Sequence, residues 1–518
     1  MATPSEKLAE SLKALKKLQD KGVVAINTSK LSRVHRERLV ENKFLKEVMK
    51  GWYLSVPAYE EEGNSTSWYS SYWLFCAEYL AHRYKDLYYV SADQSLQIHA
   101  GDYTVPTQLI VRSIKGPNGI TSFPHRTSLI TVKSPLPKGA KTQMKDGLKI
   151  LNLPSALIYC TPAMFIKNAT EMRTALTMIK DASEILSILL EGGHSTIAGR
   201  LAGAFRNTGQ EIIANEIIKT MKTATYDVRE TDPFESKTPI ALLSREQSPY
   251  ANRIKLMWHE MREVVIKYFP KAPGLPKNHE KYMKAVEKIY VTDAYHSLSI
   301  ERYKVTPELI ERVKSGNWDI NNASDKTQRD AMAARGYWQA TQKVRESVKK
   351  VIEGNNAGKV ADNDHSDWYR ELFAPSVNAG ILRASDLAGY RNGQVYIGQS
   401  KHVPLNVNAV RDAMPVLFEL LQNEPEASVR AVLGHFIFVF IHPYMDGNGR
   451  MGRFLLNVML ASGGYPWTVI PFEERKTYME ALEKASVNKD IKAFTKFIAY
   501  LVMEGLKGTP VASITKQK

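Results

Sequence analysis

One stretch of twelve residues constrains this chain more than any other: His442-Pro-Tyr-Met-Asp-Gly-Asn-Gly-Arg-Met-Gly-Arg453. It interrupts two strongly apolar segments. Ala431–Phe440 upstream and Met451 to about Leu460 downstream both read as core helices, so the twelve residues form a loop whose second half opens a helix. Gly447 and Gly449 let the backbone turn tightly and approach a ligand with no Cβ in the way. The amides from Asn448 onward then point outward at a helix N-terminus, where free N–H groups and the helix dipole favour a phosphate. Arg450 and Arg453 lie three residues apart, on one helical face, able to fork onto successive phosphates. Asp446 is a hard oxygen ligand suited to Mg²⁺ that already carries polyphosphate oxygens. His442 is the nearby group that titrates near neutrality and can take a proton from a hydroxyl. A lone histidine, GNG or arginine would ordinarily be a cap, a turn or a solvated charge. Their conjunction in twelve residues points to chemistry.

The surrounding chain is that of a globular protein. Its 518 residues admit about three domains, and 44% apolar with 24% charged residues excludes a disordered or fibrous chain. The apolar run Phe436–Ile441 is far shorter than the ~20 residues of a membrane span. The N-terminus has no apolar signal core, so the expected compartment is the cytoplasm, with no membrane partner. Cys76 and Cys160 sit in apolar stretches and read as buried reduced thiols. The net charge of +16 admits nucleic acid, an acidic protein or a polyphosphate, and charge alone does not choose.

That charge is uneven. Residues 1–59 hold 12 Lys and Arg against 6 acids. Leu8, Leu12, Leu15 and Leu18 predict a helix from Ser5, as N-cap, to about Lys21, ended by Gly22. A short helix over Thr28–Leu31 and another from Ser32 to about Asn42 follow, then a two-stranded ribbon in FLKEVMKGWYLSV. This order describes a winged helix-turn-helix, with Arg33, Arg36 and Arg38 on its third helix and Lys50 at the ribbon turn as DNA contacts. Further on, LYYVSADQSLQIHAG and PTQLIVRS read as strand–helix–strand, SPLPKGAKTQMKDG as a loop, and 154–227 as several helices. GGHSTIAGR follows a helix, and so reads as a helix–helix turn, not a phosphate loop. FPKAPGLPKN at 269–278 reads as a linker.

HPYMDGNGRMGR resembles the signature loop of the Fic family, HPFxDGNGRxxR, with Tyr444 in place of the usual Phe. The resemblance covers about 275–505. RNGQVYIGQSKHVPLNVNAV is similar to the family's flap hairpin, which aligns the target segment, and RKTYMEALEKASVNKDIKAFTKFIAYL to its closing helices. It implies an AMP transferase. His442 would deprotonate a Ser, Thr or Tyr hydroxyl of a target protein for attack on the α-phosphorus of ATP. Asp446 would hold Mg²⁺, and Gly447, Asn448 and Gly449 would cradle the phosphates. Arg450 and Arg453 would bind the outer phosphates as pyrophosphate leaves. Gly449 disfavours the kinase-like variant, which has Lys there, and Arg453 disfavours phosphocholine transfer.

Many Fic proteins carry an inhibitory Ser/Thr-x-x-x-Glu-Gly helix whose glutamate pairs with the second arginine. Ser297 and Glu301 match that spacing, with Arg302 where the family usually has Gly. Glu353-Gly354 is a second candidate, but Lys349 stands where the Ser or Thr should be. The first 235 residues are similar, more loosely, to AbiEi-type antitoxins that bind their own operator. The expected fold is multidomain and mainly α. It comprises a winged helix-turn-helix at 1–60, an α/β domain at 61–235, a linker at 236–275, an all-α Fic domain with a β-hairpin flap at 276–505, and a tail at 506–518. The implied function is an autoinhibited protein adenylyltransferase with ATP and Mg²⁺, a DNA-binding module and room for a homodimer. The alternatives are a DNA-binding regulator whose Fic domain only senses nucleotide, and a de-AMPylase.

Overall fold

The computed structural model describes residues 3–57, 63–235, 248–316 and 325–514, with side chains from 329 onward in the last segment. The chain divides into two compact units. The first is Met1–Arg253 with Tyr396–Val403, and the second is Ile254–Val395 with Pro404–Lys518.

In the first unit a helix Pro4–Gln19 is capped by Thr3, whose side chain accepts from Glu6 N–H while Glu6 reaches back to Thr3 N–H. Ser5, expected as the cap, is already inside the helix. Thr3 wins because it stands three residues before a glutamate. Strand β1 (Ala25–Asn27), a helix Arg33–Glu41, and strands β2 (Leu45–Met49) and β3 (Trp52–Ser55) follow, giving an antiparallel sheet in the order β1-β3-β2. The helix expected over Thr28–Leu31 is absent. Asn27 Oδ1 accepts from the Ser29 N–H and hydroxyl, a side-chain turn that replaces helical bonding there. Leu15, Ile26, Leu31, Leu39 and Leu45 form the small core.

A six-stranded mixed sheet comes next: β4 (Tyr88–Val90), β5 (Gln108–Ser113), β6 (Gly119–Phe123), β7 (Thr127–Lys133), β8 (Thr142–Lys145) and β9 (Leu148–Leu151), in the order β6-β7-β5-β4-β9-β8. The helix Ala92–His99 separates β4 from β5, as the sequence predicts. The expected loop SPLPKGAKTQMKDG ends instead in a hairpin, β8 pairing with β9 across Asp146-Gly147, both with positive φ. Asp-Gly is a hairpin signal that the surrounding Pro, Gly and Lys obscured. Helices over Leu153–Thr223 carry the second core, and Gly192–Gly193 does end one helix ahead of the next, Ser195–Asn207. Gly199 and Gly203 in that helix let the segment 229–231 lie directly on it: a Cβ at either would stand 2.0–2.1 Å from the Arg229 or Thr231 carbonyl oxygen. Both cysteines are buried and free. No described helix is long and apolar enough to cross a membrane.

The expected linker 236–275 contains a helix, Pro249–Tyr268, while residues 236–247 lie outside the described ones. The second unit is helical: His279–Ile300, Pro307–Lys314, Asp325–Ile352, Ala357–Asn378, Val407–Asn423, Ala427–Ile441, Asn448–Ala461, Arg475–Asn488 and Lys492–Leu506. Ala427–Ile441 is apolar nearly all round and correspondingly buried nearly all round, which marks it as the central helix. The expected flap hairpin forms no strands. Its two legs are joined by side chains: Arg391 donates to the Gly393 and Leu405 carbonyls, and Gln394 Nε2 donates to the Pro404 carbonyl at 2.9 Å. Pro404 has no N–H to give a ladder.

Candidate active site

The loop 442–447 leaves the central helix at His442, which ends it in the left-handed conformation, φ +57°. The next helix begins at Asn448, after Gly447 at φ +81°. A Cβ on Gly447 would meet the Phe373 ring at 2.8 Å, so both conformation and space require glycine. Asn448 clamps the loop: its Oδ1 accepts from Tyr444 N–H and its Nδ2 donates to Tyr444 O, each at 2.9 Å. Tyr444 is buried and stacks on Tyr369 with ring centroids 3.8 Å apart, so the aromatic serves packing. The first helical bond is Met451 N–H to Gly447 O at 2.9 Å. The amides of Asn448, Gly449 and Arg450 precede it and supply the N-terminal anion cradle.

His442 Nδ1 lies 3.1 Å from the Val439 carbonyl oxygen, which can only accept. The proton therefore sits on Nδ1, and the Nε2 lone pair is free to take one from a hydroxyl. Burial pushes the imidazole down to about 4; the Val439 bond, Glu301 and Asp446 oppose this, and Arg391 adds to it. Near neutrality the ring is an unprotonated base. Arg391, buried, holds the histidine's backbone: its N–H donates to Pro443 O at 2.9 Å and its Nε to His442 O at 2.8 Å. Sequence reasoning missed this residue, because nothing in RNGQ distinguishes a buried carbonyl clamp from a solvated arginine.

Asp446 is exposed, with Oδ1 accepting from Gly447 N–H at 2.6 Å and Oδ2 3.2 Å from Arg450. A lone outward carboxylate fits a Mg²⁺ that draws most of its oxygens from phosphates and water. Among the described residues there is no cluster of three or more metal-ligating side chains that would make an all-protein cage. Arg450 is buried beneath Asp446, its guanidinium 5.2 Å from the Tyr303 ring centroid and 5.0 Å from that of Phe373. Those two rings were not foreseen either.

Arg453 is buried and fully engaged on one side. Its Nε donates to Ser297 Oγ at 2.8 Å, and its Nη2 donates to Ser297 O at 3.0 Å and to Glu301 Oε1 at 2.7 Å. Glu301 ends the helix His279–Ile300. Burial alone would raise its carboxyl, but Arg453 and Arg450 hold it below the usual range. The same pair raises Arg453 against the opposing effect of burial. Glu301 Oε1 stands 2.4 Å from where a Gly449 Cβ would be, so the carboxylate lies against Gly449 in the first turn of the helix. Arg302, next in sequence, takes φ +67°, the conformation glycine favours. Glu353, the second candidate, is exposed at the far end of another helix. The two arginines expected to face phosphates thus both face carboxylates here, Asp446 and Glu301.

The DNA candidates are placed differently. Arg36 Nη1 donates to the Thr28 and Leu31 carbonyls at 2.7 and 2.5 Å. Arg38 Nη1 donates to Lys7 O and Ser11 Oγ at 2.6 and 2.9 Å. Arg33 is exposed and pairs with Glu37, and Lys50 is exposed at the β2–β3 turn.

A neutral base, outward amides, an exposed carboxylate and two buried arginines within twelve residues make an arrangement chemically able to receive a polyphosphate. The Fic/DOC family matches residues 363–460, a range that includes the loop and most of the helices around it. A protein adenylyltransferase Fic from Nematostella vectensis is 25% identical over 272 residues, 52% of this chain and 58% of that one. One from Drosophila willistoni is 38% identical over 225 residues, 42% of this chain and 41% of that one. The chain thus spans about half the length of the curated relatives it matches. Among solved structures, Fic-1 (residues 134–508) from C. elegans aligns over 66% of this chain and 96% of that one, at 18% identity and a TM-score of 0.37.

Proposed function

We propose that the chain is an autoinhibited protein adenylyltransferase that moves AMP from ATP to a Ser, Thr or Tyr hydroxyl of a target protein. The observation that carries this reading is the Arg453–Glu301 pair lying against Gly449, in the same loop that presents an unprotonated His442 Nε2. His442 takes the hydroxyl proton as the oxygen bonds to the α-phosphorus and pyrophosphate departs. The amides of Asn448, Gly449 and Arg450 face the phosphate oxygens, and Arg453, freed from Glu301, compensates the charge growing on the leaving group. This is positioning and charge stabilisation. Asp446 is the residue that would hold Mg²⁺, which when bound neutralises phosphate charge.

In this reading the first unit is a DNA-binding regulator, winged-helical at its head and antitoxin-like beyond, addressed to its own operator. Its support is the basic composition of residues 1–59 and the helix–strand–helix–strand–strand order of that segment. Arg33 and Lys50 are the exposed contacts, since Arg36 and Arg38 serve the module's own carbonyls.

The test is incubation with Mg²⁺ and ATP labelled at the α- or the γ-phosphorus. AMP transfer retains label from the α-position only, and His442→Ala abolishes it. Label retained from the γ-position, or undiminished in His442→Ala, overturns the mechanism. Release of AMP from a modified target with no forward labelling would establish the de-AMPylase, and nucleotide binding without either reaction the sensor.

A further inference from the structure

The helix His279–Ile300 places Asp293, Ser297 and Glu301 one turn apart along a single stripe. Ser297 and Glu301 hold Arg453 directly. Asp293, one turn back, is 4% exposed, accepts from the Tyr337 hydroxyl at 2.7 Å, and lies within the electrostatic reach of Arg453. The Arg453 guanidinium therefore contacts the carboxylate at one end of this stripe and feels the charge of the other. Its Nη1 is buried without a hydrogen-bond partner, 3.2 Å from where a Gly449 Cβ would stand, on the cradle side. Whatever compensates Arg453 from behind weakens what it can attract in front, because charges in a dry interior are not screened from one another by water.

We infer that Asp293 is a positioning residue, the second counter-charge of Arg453, and that it sets how strongly Arg453 holds either Glu301 or the nucleotide phosphates. The inference rests on the autoinhibited-transferase reading and names a regulator of that site. With Asp293 ionised, Arg453 is shared and Glu301 is held less tightly. With Asp293 neutral, the whole of the Arg453 charge acts on Glu301, and the site closes harder. Once Glu301 is removed the sign reverses, because the undivided charge now acts on phosphate.

The proton on Asp293 can make this change. Burial raises its carboxyl to about 6, opposed by the hydrogen bond from Tyr337, the nearby Trp467 indole and the charge of Arg453. The groups facing it are Tyr337 from the helix Asp325–Ile352, Arg453 from the helix Asn448–Ala461, Trp467 from the segment beyond, and Tyr290 on its own helix. Both phenols are raised by burial and stay neutral from pH 5 to 8, while Arg453 stays charged. Glu301 is held below the usual range and stays ionised, and His435 and His442, at about 4, stay neutral; His296 is lowered by burial against the opposing charge of Glu473. Asp293 changes charge near pH 6.

The experiment compares the full chain with Asp293→Asn, Glu301→Gly and both together, Asn being able to accept the same Tyr337 hydroxyl. The readouts are transfer of α-labelled AMP and equilibrium binding of a non-hydrolysable ATP analogue, each from pH 5.5 to 8. With Glu301 present, Asp293→Asn weakens binding and transfer about fivefold at pH 7.5 and flattens the profile around pH 6. In Glu301→Gly the same substitution strengthens binding about fivefold and lowers KM. A merely structural role moves both backgrounds in one direction, and that result, or no change in either, overturns the inference. If no variant transfers AMP, the transferase reading falls, and the binding measurements still decide the role of Asp293.

Discussion

Replacing Glu301 with glycine should raise activity and lower stability together, because one contact supplies both. The contact is a 2.7 Å hydrogen bond between a carboxylate and a guanidinium only 4% exposed. A hydrogen bond to a charged group contributes ~1.5–3 kcal/mol net. If it must break before ATP seats, its removal accelerates AMP incorporation about 10- to 150-fold at subsaturating ATP, at ~1.4 kcal/mol per factor of ten. Breaking a buried pair from one side costs ~3–5 kcal/mol of stability, because the partner keeps its charge. Ser297 and Asp293 still compensate Arg453, so the lower end, ~3 kcal/mol, applies. At ~2–4 °C per kcal/mol, the second unit should then melt about 6–12 °C lower. Saturating ATP should return more of that loss in the variant than it adds to the wild type, since phosphate replaces the missing anion. The assays are α-labelled transfer and thermal unfolding with and without ATP. A full loss of Tm with unchanged transfer would show that the pair is structural and guards nothing. Unchanged Tm and transfer together would show that the pair does not exist in solution.

Arg302→Gly should do the opposite to stability: it relieves a left-handed arginine at φ +67°, worth ~1 kcal/mol, and should raise the Tm of the second unit by about 2–4 °C. In the Glu301→Gly variant, His442 should show no basic titration between pH 5 and 8 in kcat/KM, and activity should fall only as pH approaches about 4. The same shift has a stability sign. The folded value lies below the ordinary 6.5 of histidine, so the unfolded chain binds more protons between pH 6.5 and 4, and this contribution is lost as pH falls through that window; acid unfolding of wild type against His442→Ala measures it. Arg391→Lys keeps the charge but not the fork, so one ammonium cannot serve His442 O, Gly393 O and Leu405 O at once. Each carbonyl left unsatisfied costs ~1–3 kcal/mol, and kcat should fall more than KM rises as His442 loses its hold, which steady-state kinetics in the Glu301→Gly background would read.

The parts of the site that sequence makes legible are those whose chemistry is carried by residue type at short range. The loop 442–453 is a helix–loop–helix in which glycines, a histidine and an opening helix each have one plausible geometry, and the structure adopts it. Ser297 and Glu301 stand out through the resemblance to the family's inhibitory helix and its spacing, and they meet Arg453 across 152 to 156 positions of sequence. The residues that escaped were those whose role is assigned by tertiary contact. Arg391 and Asp293 are charged residues in ordinary polar-looking segments, and only burial turns one into a clamp and the other into a raised carboxyl. The same limit worked at element level. Thr28–Leu31 failed as a helix because Asn27 offered the backbone a local alternative, and the strands expected at 391–405 were replaced by side-chain bonds to carbonyls.

Burial also reorders the meaning of the positive charge. Arg36 and Arg38 in the basic head spend their donors on Thr28, Leu31, Lys7 and Ser11, so replacing them with alanine removes fold contacts before it removes any phosphate contact. Arg450, Arg453 and Arg391 in the second unit are likewise buried and committed to protein oxygens. The cations left to meet an external polyanion are those on the surface, such as Arg33 and Lys50. Under the proposed DNA-binding role, Arg33→Ala should therefore reduce the salt dependence of DNA binding by about one counterion while leaving stability within ~0.5 kcal/mol of wild type, and Arg38→Ala should lower Tm through the lost Lys7 and Ser11 bonds. Titrating both variants against upstream DNA at several salt concentrations, beside their unfolding curves, separates a binding charge from a structural one. Equal salt slopes for wild type and Arg33→Ala would remove Arg33 from the interface, and an unchanged Tm in Arg38→Ala would refute its assignment to the fold.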